Sequence, residues 1–198
     1  AITFTNKAAA EMRERAKALI GAKAAGKLLI CTFHSLGVRL LREDGEALGL
    51  KPQFSILDSD DVTSILRDAG GTTDAKQARH WQWTISLWKN QGLNSSQAFA
   101  QAQSDDEQLI ARIMQLYEER LSAYQAVDFD DLISLPLKLL AEHEHVRLKW
   151  QKQLKHGNVK AQGGYRQKPI TALQPWLAGH AAQKVDHGAV RHHDTLGL

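Results

Sequence analysis

The sequence has one cysteine, four prolines and no long apolar run. Because Cys31 stands alone, an internal disulfide and a zinc site built from several cysteines are excluded, and a reducing, cytoplasmic location is expected. No apolar stretch approaches the roughly 20 residues that a membrane-spanning helix needs, so a membrane span is excluded. No basic segment leads into an apolar stretch near Ala1, so no secretory signal is visible. An initiator Met is also missing, from which we expect the chain to start inside a larger protein.

Charge and apolar content indicate a folded chain with an uneven charge distribution. Apolar residues make up 43% of the 198 residues and charged residues 24%, which is enough to bury a core. Residues 1–42 carry eight basic and two acidic side chains, whereas residues 43–127 carry seven basic and thirteen acidic ones. A basic segment suits a surface that faces phosphates, although an ordinary solvated helix face has the same composition.

The chain begins with short apolar runs that alternate with helical patterns. Residues 2–5 and 28–33 have the pattern of strands, and helices are predicted from Asn6 to Gly21 and over 35–48. This order indicates a parallel α/β sheet. On the first helix, an inward face is predicted from the helical spacing of Met12, Ala16, Leu19 and Ile20.

The rest of the recognisable pattern is helical. Helices are predicted over 58–70, 74–90, 105–126 and 128–142, with a kink at Pro136. The apolar faces predicted for two of them contain Trp81, Ile85 and Trp88, and Leu109, Ile113, Leu116, Tyr117, Leu121 and Tyr124. Trp83 lies off the first of these faces and is predicted to be exposed. From residue 157 no period persists, and we expect a disordered tail over 157–198.

Two motifs have unremarkable structural interpretations. The stretch from Gly21 to Leu28 nearly matches a phosphate-binding loop, but Leu28 has no hydroxyl for Mg²⁺ and the stretch leaves a helix to enter a strand, so a plain connection is favoured. Asp128, Phe129, Asp130 and Asp131 either bind a metal at a strand end or cap a helix. The cap is favoured, because the preceding residues end a helix and supply no apolar strand.

Two loops have the side chains of a single-stranded nucleic-acid contact. Phe4, Thr5, Asn6 and Lys7 follow the first predicted strand, and Thr32, Phe33 and His34 follow the second. A ring at such a loop stacks on a base, while hydroxyl, amide and ammonium groups meet phosphate. A metal site at His187, His192 and His193 is not favoured, because no periodic scaffold fixes their geometry.

Three stretches resemble a known family when they are taken in order. They are Ala1-Ile-Thr-Phe-Thr-Asn-Lys-Ala-Ala-Ala-Glu-Met12, Thr32-Phe-His-Ser-Leu-Gly37 and Val127-Asp-Phe-Asp-Asp-Leu132. Together they closely resemble the UvrD/Rep/PcrA family of superfamily-one, ATP-dependent 3′-to-5′ DNA helicases. Agreement with the Rep branch comes from Phe54-Ser-Ile-Leu-Asp58, Ile85-Ser-Leu-Trp-Lys-Asn90 and Val146-Arg-Leu-Lys-Trp-Gln151. The resemblance covers residues 1–155.

The resemblance implies an α/β, mostly helical chain: a partial RecA-like (P-loop NTPase) motor domain with an all-α insertion subdomain. Residues 1–50 would belong to the motor, 51–126 to the insertion and 127–156 to the return into the motor, whereas 157–198 would be foreign to the family. The resemblance also implies single-stranded DNA binding, in DNA replication or repair, by Phe4, Thr5, Asn6, Lys7, Thr32, Phe33 and His34. Asp128, Phe129, Asp130 and Asp131 match a further family motif whose role stays open.

The departures from the family bear on catalysis. The family's phosphate loop with its lysine and its second motor domain have no counterpart here, and the pattern Asp-Glu-x-x-Asp, which holds Mg²⁺, does not occur in the sequence. ATP and Mg²⁺ are therefore expected for the intact family member and neither for this chain alone, which has no catalytic residue and is expected not to hydrolyse ATP. Residues 157–198 are interpreted as the product of a frameshift, a rearrangement or a premature gene end.

The other function class that the sequence supports is a non-catalytic, helical protein-interaction module or an inactive remnant. The acidic middle of the chain and its helices with Tyr and Trp side chains are suited to such a surface. Protein partners are not identified by the sequence.

Overall fold

The computed structural model describes residues 1–155, which form two compact units. The first unit contains Ala1–Pro52 and residues 135–155, and the second contains residues 53–134. Helices dominate both units, which confirms the prediction of a mostly helical chain. The predicted tail over 157–198, with His187, His192 and His193, lies outside the described residues. No helix of the described chain combines the length and the apolar character that crossing a membrane requires.

The first unit is built on a pair of short parallel strands. Its elements are β1 (Ile2–Thr3), α1 (Asn6–Ile20), α2 (Ala22–Ala25), β2 (Cys31–Thr32), α3 (Phe33–Asp44), a 3-10 turn (Gly45–Leu48), the end of α8 (Asp131–Glu142) and α9 (Glu144–Lys155). Ile2 lies opposite Cys31, and Thr3 lies opposite Thr32. The predicted parallel order is therefore confirmed, with strands shorter than predicted.

Helix α1 differs in two ways from its prediction. Its N-cap is Thr5 rather than Asn6, because the Thr5 hydroxyl accepts a hydrogen bond from the Ala8 amide at 3.1 Å. The predicted inward face is wrong: Leu19 and Ile20 are exposed, and Ala9 is the buried residue of the helix. The helix lies against β1 and β2, and the small Ala9 side chain allows its first turns to approach them closely.

The connection predicted between α1 and β2 contains the short helix α2. The amides of Gly26, Lys27 and Leu28 donate hydrogen bonds to the carbonyls of α2, at 2.9 to 3.2 Å. Because those amides are already hydrogen-bonded within the connection, they are not arranged around a phosphate as in a phosphate-binding loop.

The second unit contains a single large hydrophobic core. Its elements are β3 (Ser55–Ile56), α4 (Ser59–Gly70), α5 (Ala75–Asn90), α6 (Ser95–Gln101), α7 (Asp105–Tyr124), β4 (Ala126–Val127) and the start of α8. Trp81 and Ile85 of α5 are buried as predicted, and Trp83 is exposed as predicted. The core also contains Val62, Leu66, Ile110, Ile113, Met114, Tyr117 and Leu121.

Three predictions for this unit are wrong in detail. Leu109, Leu116 and Tyr124 are exposed rather than buried, because the inward stripe of α7 passes through Ile110, Met114 and neighbouring positions instead. A strand does precede Asp128: Gln125 ends α7 in the left-handed conformation (φ 48°), and β4 then pairs in parallel with β3. Helix α8 consequently begins at Asp131.

Candidate nucleic-acid interface

The two predicted binding loops follow neighbouring strands. Because β1 and β2 are parallel, their carboxyl ends lie at the same edge, and each strand leads directly into a helix. Thr5 caps α1, and Thr32 caps α3 by accepting a hydrogen bond from the Ser35 amide at 3.2 Å. The N-termini of two helices therefore lie beside the same strand ends, where unpaired amides favour an anion.

An aromatic pair lies at this edge. The ring centroids of Phe4 and Phe33 are 5.8 Å apart, with an angle of 49° between the rings. Phe4 is 49% exposed, whereas Phe33 is only 8% exposed. Of the two rings, Phe4 is thus the one that a base can reach, and Phe33 supports it from below. His34 is half-buried in the first turn of α3, and Asn6 and Lys7 are exposed in the first turn of α1.

The threonine hydroxyls at this edge mainly hold the helix starts. Thr32 is buried, and its hydroxyl is also 2.8 Å from the Ser35 hydroxyl. Thr32 thus positions the start of α3, and its contact with DNA stays a prediction. Thr5 is exposed and can donate its hydroxyl hydrogen to a ligand while its oxygen caps α1.

The electrostatics of this edge favour an anion. Neither α1 nor α3 has an acidic residue in its first turn, so nothing in those turns offsets the positive end of the helix dipole. Lys7 adds an exposed ammonium at the same place. Not every basic side chain of the segment is available, however: Arg13 donates from Nε and Nη2 to the Ile30 carbonyl, at 3.1 and 2.9 Å, and so ties α1 to the residue before β2.

The acidic motif of the second unit is a buried ion cluster. Lys89 Nζ is 2.6 Å from Asp128 Oδ2 and 2.7 Å from Asp131 Oδ1, and the Tyr117 hydroxyl donates to Asp128 at 2.8 Å. Asp128 and Asp131 are both buried, and each accepts a hydrogen bond from the backbone amide of the other. This reciprocal pair is the geometry of a helix cap, as the favoured interpretation predicted, and a lysine lies between the carboxylates where a metal ion would have to lie.

Burial and charge act in opposite directions on this cluster. Burial alone would lower the pKa of Lys89, but the two carboxylates outweigh it and raise that pKa. Burial would raise the pKa of Asp128, yet the Lys89 ammonium outweighs it and lowers that pKa. Burial prevails at Asp131 and raises its pKa to about 6. The pKa of Tyr117 is raised by burial and then by the Asp128 carboxylate, so its hydroxyl stays a donor.

Sequence reasoning missed Lys89 as the partner of the acidic motif. The available signal was the resemblance itself, because Lys89 lies in the stretch from Ile85 to Asn90 and its partners lie in the stretch from Val127 to Leu132. The structure brings these two stretches together. The other two members of the motif remain at the surface, with Phe129 exposed and Asp130 half-buried.

The stretch that nearly matches a phosphate-binding loop does not have the geometry of one. The amides between Gly26 and Leu28 are consumed in local hydrogen bonds, as shown above, and residues 1–155 contain no group of three or more His, Cys, Asp or Glu side chains that could hold a metal ion. No chemical step is assigned to ATP or Mg²⁺ on these residues.

Comparison with known proteins places the chain in a family. Residues 1–159 match the model of the UvrD/REP helicase N-terminal domain. The chain belongs to the UvrD/Rep helicase family. This finding confirms the resemblance that the three stretches indicated.

Individual members of the UvrD/Rep helicase family show the same relationship. The chain is 40% identical over 159 residues to the ATP-dependent DNA helicase Rep of Escherichia coli (strain K12), covering 79% of this chain and 24% of that protein. It is 37% identical over 163 residues to the ATP-dependent DNA helicase PcrA of Leuconostoc citreum, covering 80% of this chain and 22% of that protein. The chain thus spans about a quarter of the length of these relatives.

Proposed function

We propose that this chain is the part of an ATP-dependent 3′-to-5′ DNA helicase that carries single-stranded DNA-binding motifs. It binds single-stranded DNA at the edge of its first unit where β1 and β2 end, next to Phe4. The relatives are named ATP-dependent DNA helicases, which supplies the substrate class. The observation that carries the proposal is the exposed Phe4 ring supported by Phe33 where two helix N-termini meet.

The roles of the residues follow from this geometry. Phe4 stacks on a base, Asn6 and Lys7 contact phosphate from the first turn of α1, and His34 contacts the strand from the first turn of α3. Phe33 and Thr32 hold these groups in place from beneath. Because stacking and phosphate contacts tolerate every base, binding is independent of sequence.

We further propose that the first unit is part of a RecA-like motor domain and that the helical second unit is its insertion. The whole enzyme would act in the cytoplasm, in DNA replication or repair. The parallel pairing of β1 with β2 supports the motor assignment. The division into residues 1–52 with 135–155, and residues 53–134, supports an insertion, because the second unit interrupts the sequence of the first. ATP hydrolysis is assigned to parts of the helicase other than residues 1–155.

The test is binding of the full chain to a fluorescein-labelled oligothymidylate at several salt concentrations. Phe4→Ala is expected to weaken binding about tenfold, because stacking contributes about 1–3 kcal/mol per base. Lys7→Ala is expected to reduce the slope of log K against log salt by about 0.7, the value for one phosphate contact on a single strand.

Matched controls lie in the second unit. Phe99→Ala removes another exposed ring, and Lys76→Ala removes another exposed lysine; neither is expected to change the affinity or the slope. Equal losses for Phe4→Ala and Phe99→Ala, or DNA-stimulated ATP hydrolysis by the isolated chain, would contradict the proposal.

A further inference from the structure

A shallow groove runs along one side of α3 in the first unit. Its volume is about 380 Å³, and it is lined by Ser35, Val38, Arg39, Arg42 and Glu43. These residues follow one another at intervals of three and four positions, which places them on the same side of the helix. Ser35 lies in the first turn of α3, so the groove begins at the edge where β1 and β2 end.

Arg39 is an exposed cation of this groove with a fixed support. The central carbon of its guanidinium group lies 5.8 Å from the centroid of the Trp150 ring. Trp150 is only 1% exposed and donates its indole hydrogen to Asp44 at 2.7 Å, so the ring that supports Arg39 is itself held in place. A guanidinium group on an aromatic ring keeps its N–H donors at its edge, where they can bind two oxygens of a phosphate.

The carboxylates next to the groove are paired with a lysine. Glu43 and Asp44 lie 2.9 Å and 2.8 Å from Nζ of Lys149. In the described part of the chain, no carboxylate forms an ion pair with Arg39. Arg42 adds a second positive charge to the groove, but it interacts with another residue of the chain, so Arg39 is the cation that a ligand reaches directly. This arrangement favours an anion in the groove.

The charge of Arg39 also acts at the end of β2. Burial raises the pKa of Cys31, and the charges of Arg13 and Arg39 are among those that act against this rise. Cys31 directly precedes Thr32, with which β2 ends. The positive potential of Arg39 therefore extends from the groove to the edge at which we propose that DNA binds.

We propose that Arg39 is a further DNA-binding residue, which binds a backbone phosphate where the single strand leaves the edge next to Phe4 and enters the groove of α3. Arg39 lies about 6 Å beyond Ser35 along the helix axis, so it reaches a nucleotide adjacent to those at the edge. A phosphate contact carries no sequence information, in agreement with binding that is independent of sequence. This role of Arg39 rests on the proposed function, because the same strand must first be bound next to Phe4.

The test measures binding of the full chain to fluorescein-labelled oligothymidylate at several salt concentrations. Arg39→Gln is expected to weaken binding about fivefold and to reduce the slope of log K against log salt by about 0.7, because one phosphate contact is lost. Arg39→Lys keeps the charge and is expected to keep the slope, with a loss of about twofold in affinity, since an ammonium group does not bind two oxygens side by side. A purely structural role of Arg39 on Trp150 would not change the slope.

The matched control is Arg15→Gln, which removes an exposed arginine of the same unit outside the groove and is expected to leave the slope unchanged. Urea unfolding shows whether each variant is folded under the binding conditions. If Phe4→Ala weakens binding but Arg39→Gln changes neither affinity nor slope, or changes them no more than Arg15→Gln does, the role of Arg39 is refuted and the proposed function stands. If Phe4→Ala has no effect, the proposed function fails, and the path along α3 fails with it.

Discussion

Lys89 is the residue whose surroundings depend most on ionisation. Its ammonium lies within 2.7 Å of two buried carboxylates, so one positive charge serves two negative ones. Removing a member of a buried ion group leaves the others uncompensated, which typically costs about 3–5 kcal/mol. The strength with which the cluster holds the end of α5 to the start of α8 therefore depends on the protonation states of Lys89, Asp128 and Asp131.

The first prediction concerns the pH dependence of stability through Asp131. Its folded pKa of about 6 lies above the value of about 3.9 of an unfolded aspartate, so the folded chain binds the proton more tightly. Ionisation of Asp131 therefore costs stability as the pH rises from about 4 to about 6. Relative to wild type, Asp131→Asn is expected to gain about 1 kcal/mol in the free energy of unfolding between pH 5 and pH 8.

Urea unfolding at the two pH values measures this difference, and any effect of Asn that is independent of pH cancels in it. Asp130→Asn, which changes the half-buried neighbour, serves as control and is expected to show no such gain. A constant difference between Asp131→Asn and wild type at both pH values would show that Asp131 ionises as an ordinary carboxyl.

For single residues, the sequence predicts exposed functional groups better than buried ones. The exposure of Phe4 and Trp83 follows from local pattern, because a loop after a strand and an off-stripe helical position both face solvent. The pairing of Lys89 with Asp128 joins residues far apart in the chain, and nothing in the spacing of either stretch indicates it. The partners of a buried lysine can be identified only once the fold has brought them together.

Among the elements, capping residues are the most reliable sequence signals. Asp58 accepts from the amides of Asp60 and Asp61 and starts α4 in a capping box, close to the predicted position. Helix α6 was missed, although Asn94 and Gln97 form the same reciprocal box at its start. This helix is only seven residues long, which is too short for a helical period to be detected in the sequence. The strands β3 and β4 have two residues each, too few for any periodicity.

The second prediction concerns the packing of α4 on α5. A Cβ added at Gly70 would clash with Cζ3 of Trp81 and would lie 3.0 Å from Cδ1 of Ile113, and both of these residues are buried. Gly70→Ala therefore forces the indole to move and is expected to lower the free energy of unfolding by about 1–3 kcal/mol. Urea unfolding followed by far-ultraviolet circular dichroism measures the loss.

The neighbouring Gly71 provides the control for this prediction. It has a left-handed backbone (φ +64°) and no atom within 4 Å of an added Cβ. Gly71→Asn is expected to cost less than about 1 kcal/mol, because Asn tolerates the left-handed conformation. If Gly70→Ala were no less stable than Gly71→Asn, the close contact with Trp81 would not exist in solution.

For the whole molecule, the main feature is that the first unit is discontinuous in sequence. Residues 1–52 and 135–155 form it together, and residues 53–134 of the second unit come between them in the sequence. The sequence predicted a return of the chain only through its resemblance to a family, because no composition shift marks residue 135. Long-range polar contacts inside the first unit show how the later segment is attached.

The third prediction tests that attachment. Asp44, at the end of α3, accepts hydrogen bonds from Nε1 of Trp150 at 2.7 Å and from Nζ of Lys149 at 2.8 Å. Trp150 is only 1% exposed, so Asp44→Ala leaves its indole N–H buried without an acceptor. The loss expected in the free energy of unfolding is about 1–3 kcal/mol. Asp44→Asn keeps an acceptor oxygen and is expected to lose less.

Glu43→Ala tests whether the later segment is attached by the buried indole of Trp150 or only by charge pairing at the surface. Glu43 also pairs with Lys149, at 2.9 Å, but with side chains more than a third exposed, so its removal is expected to cost less than about 1 kcal/mol. Urea unfolding monitored by tryptophan fluorescence compares the three variants. The order Asp44→Ala, Asp44→Asn, Glu43→Ala, from the greatest loss to the smallest, is expected if α9 is held on α3 by the buried indole. Equal losses at Asp44 and Glu43 would mean that surface charge alone attaches the segment, and the attachment of α9 would then weaken as the salt concentration rises.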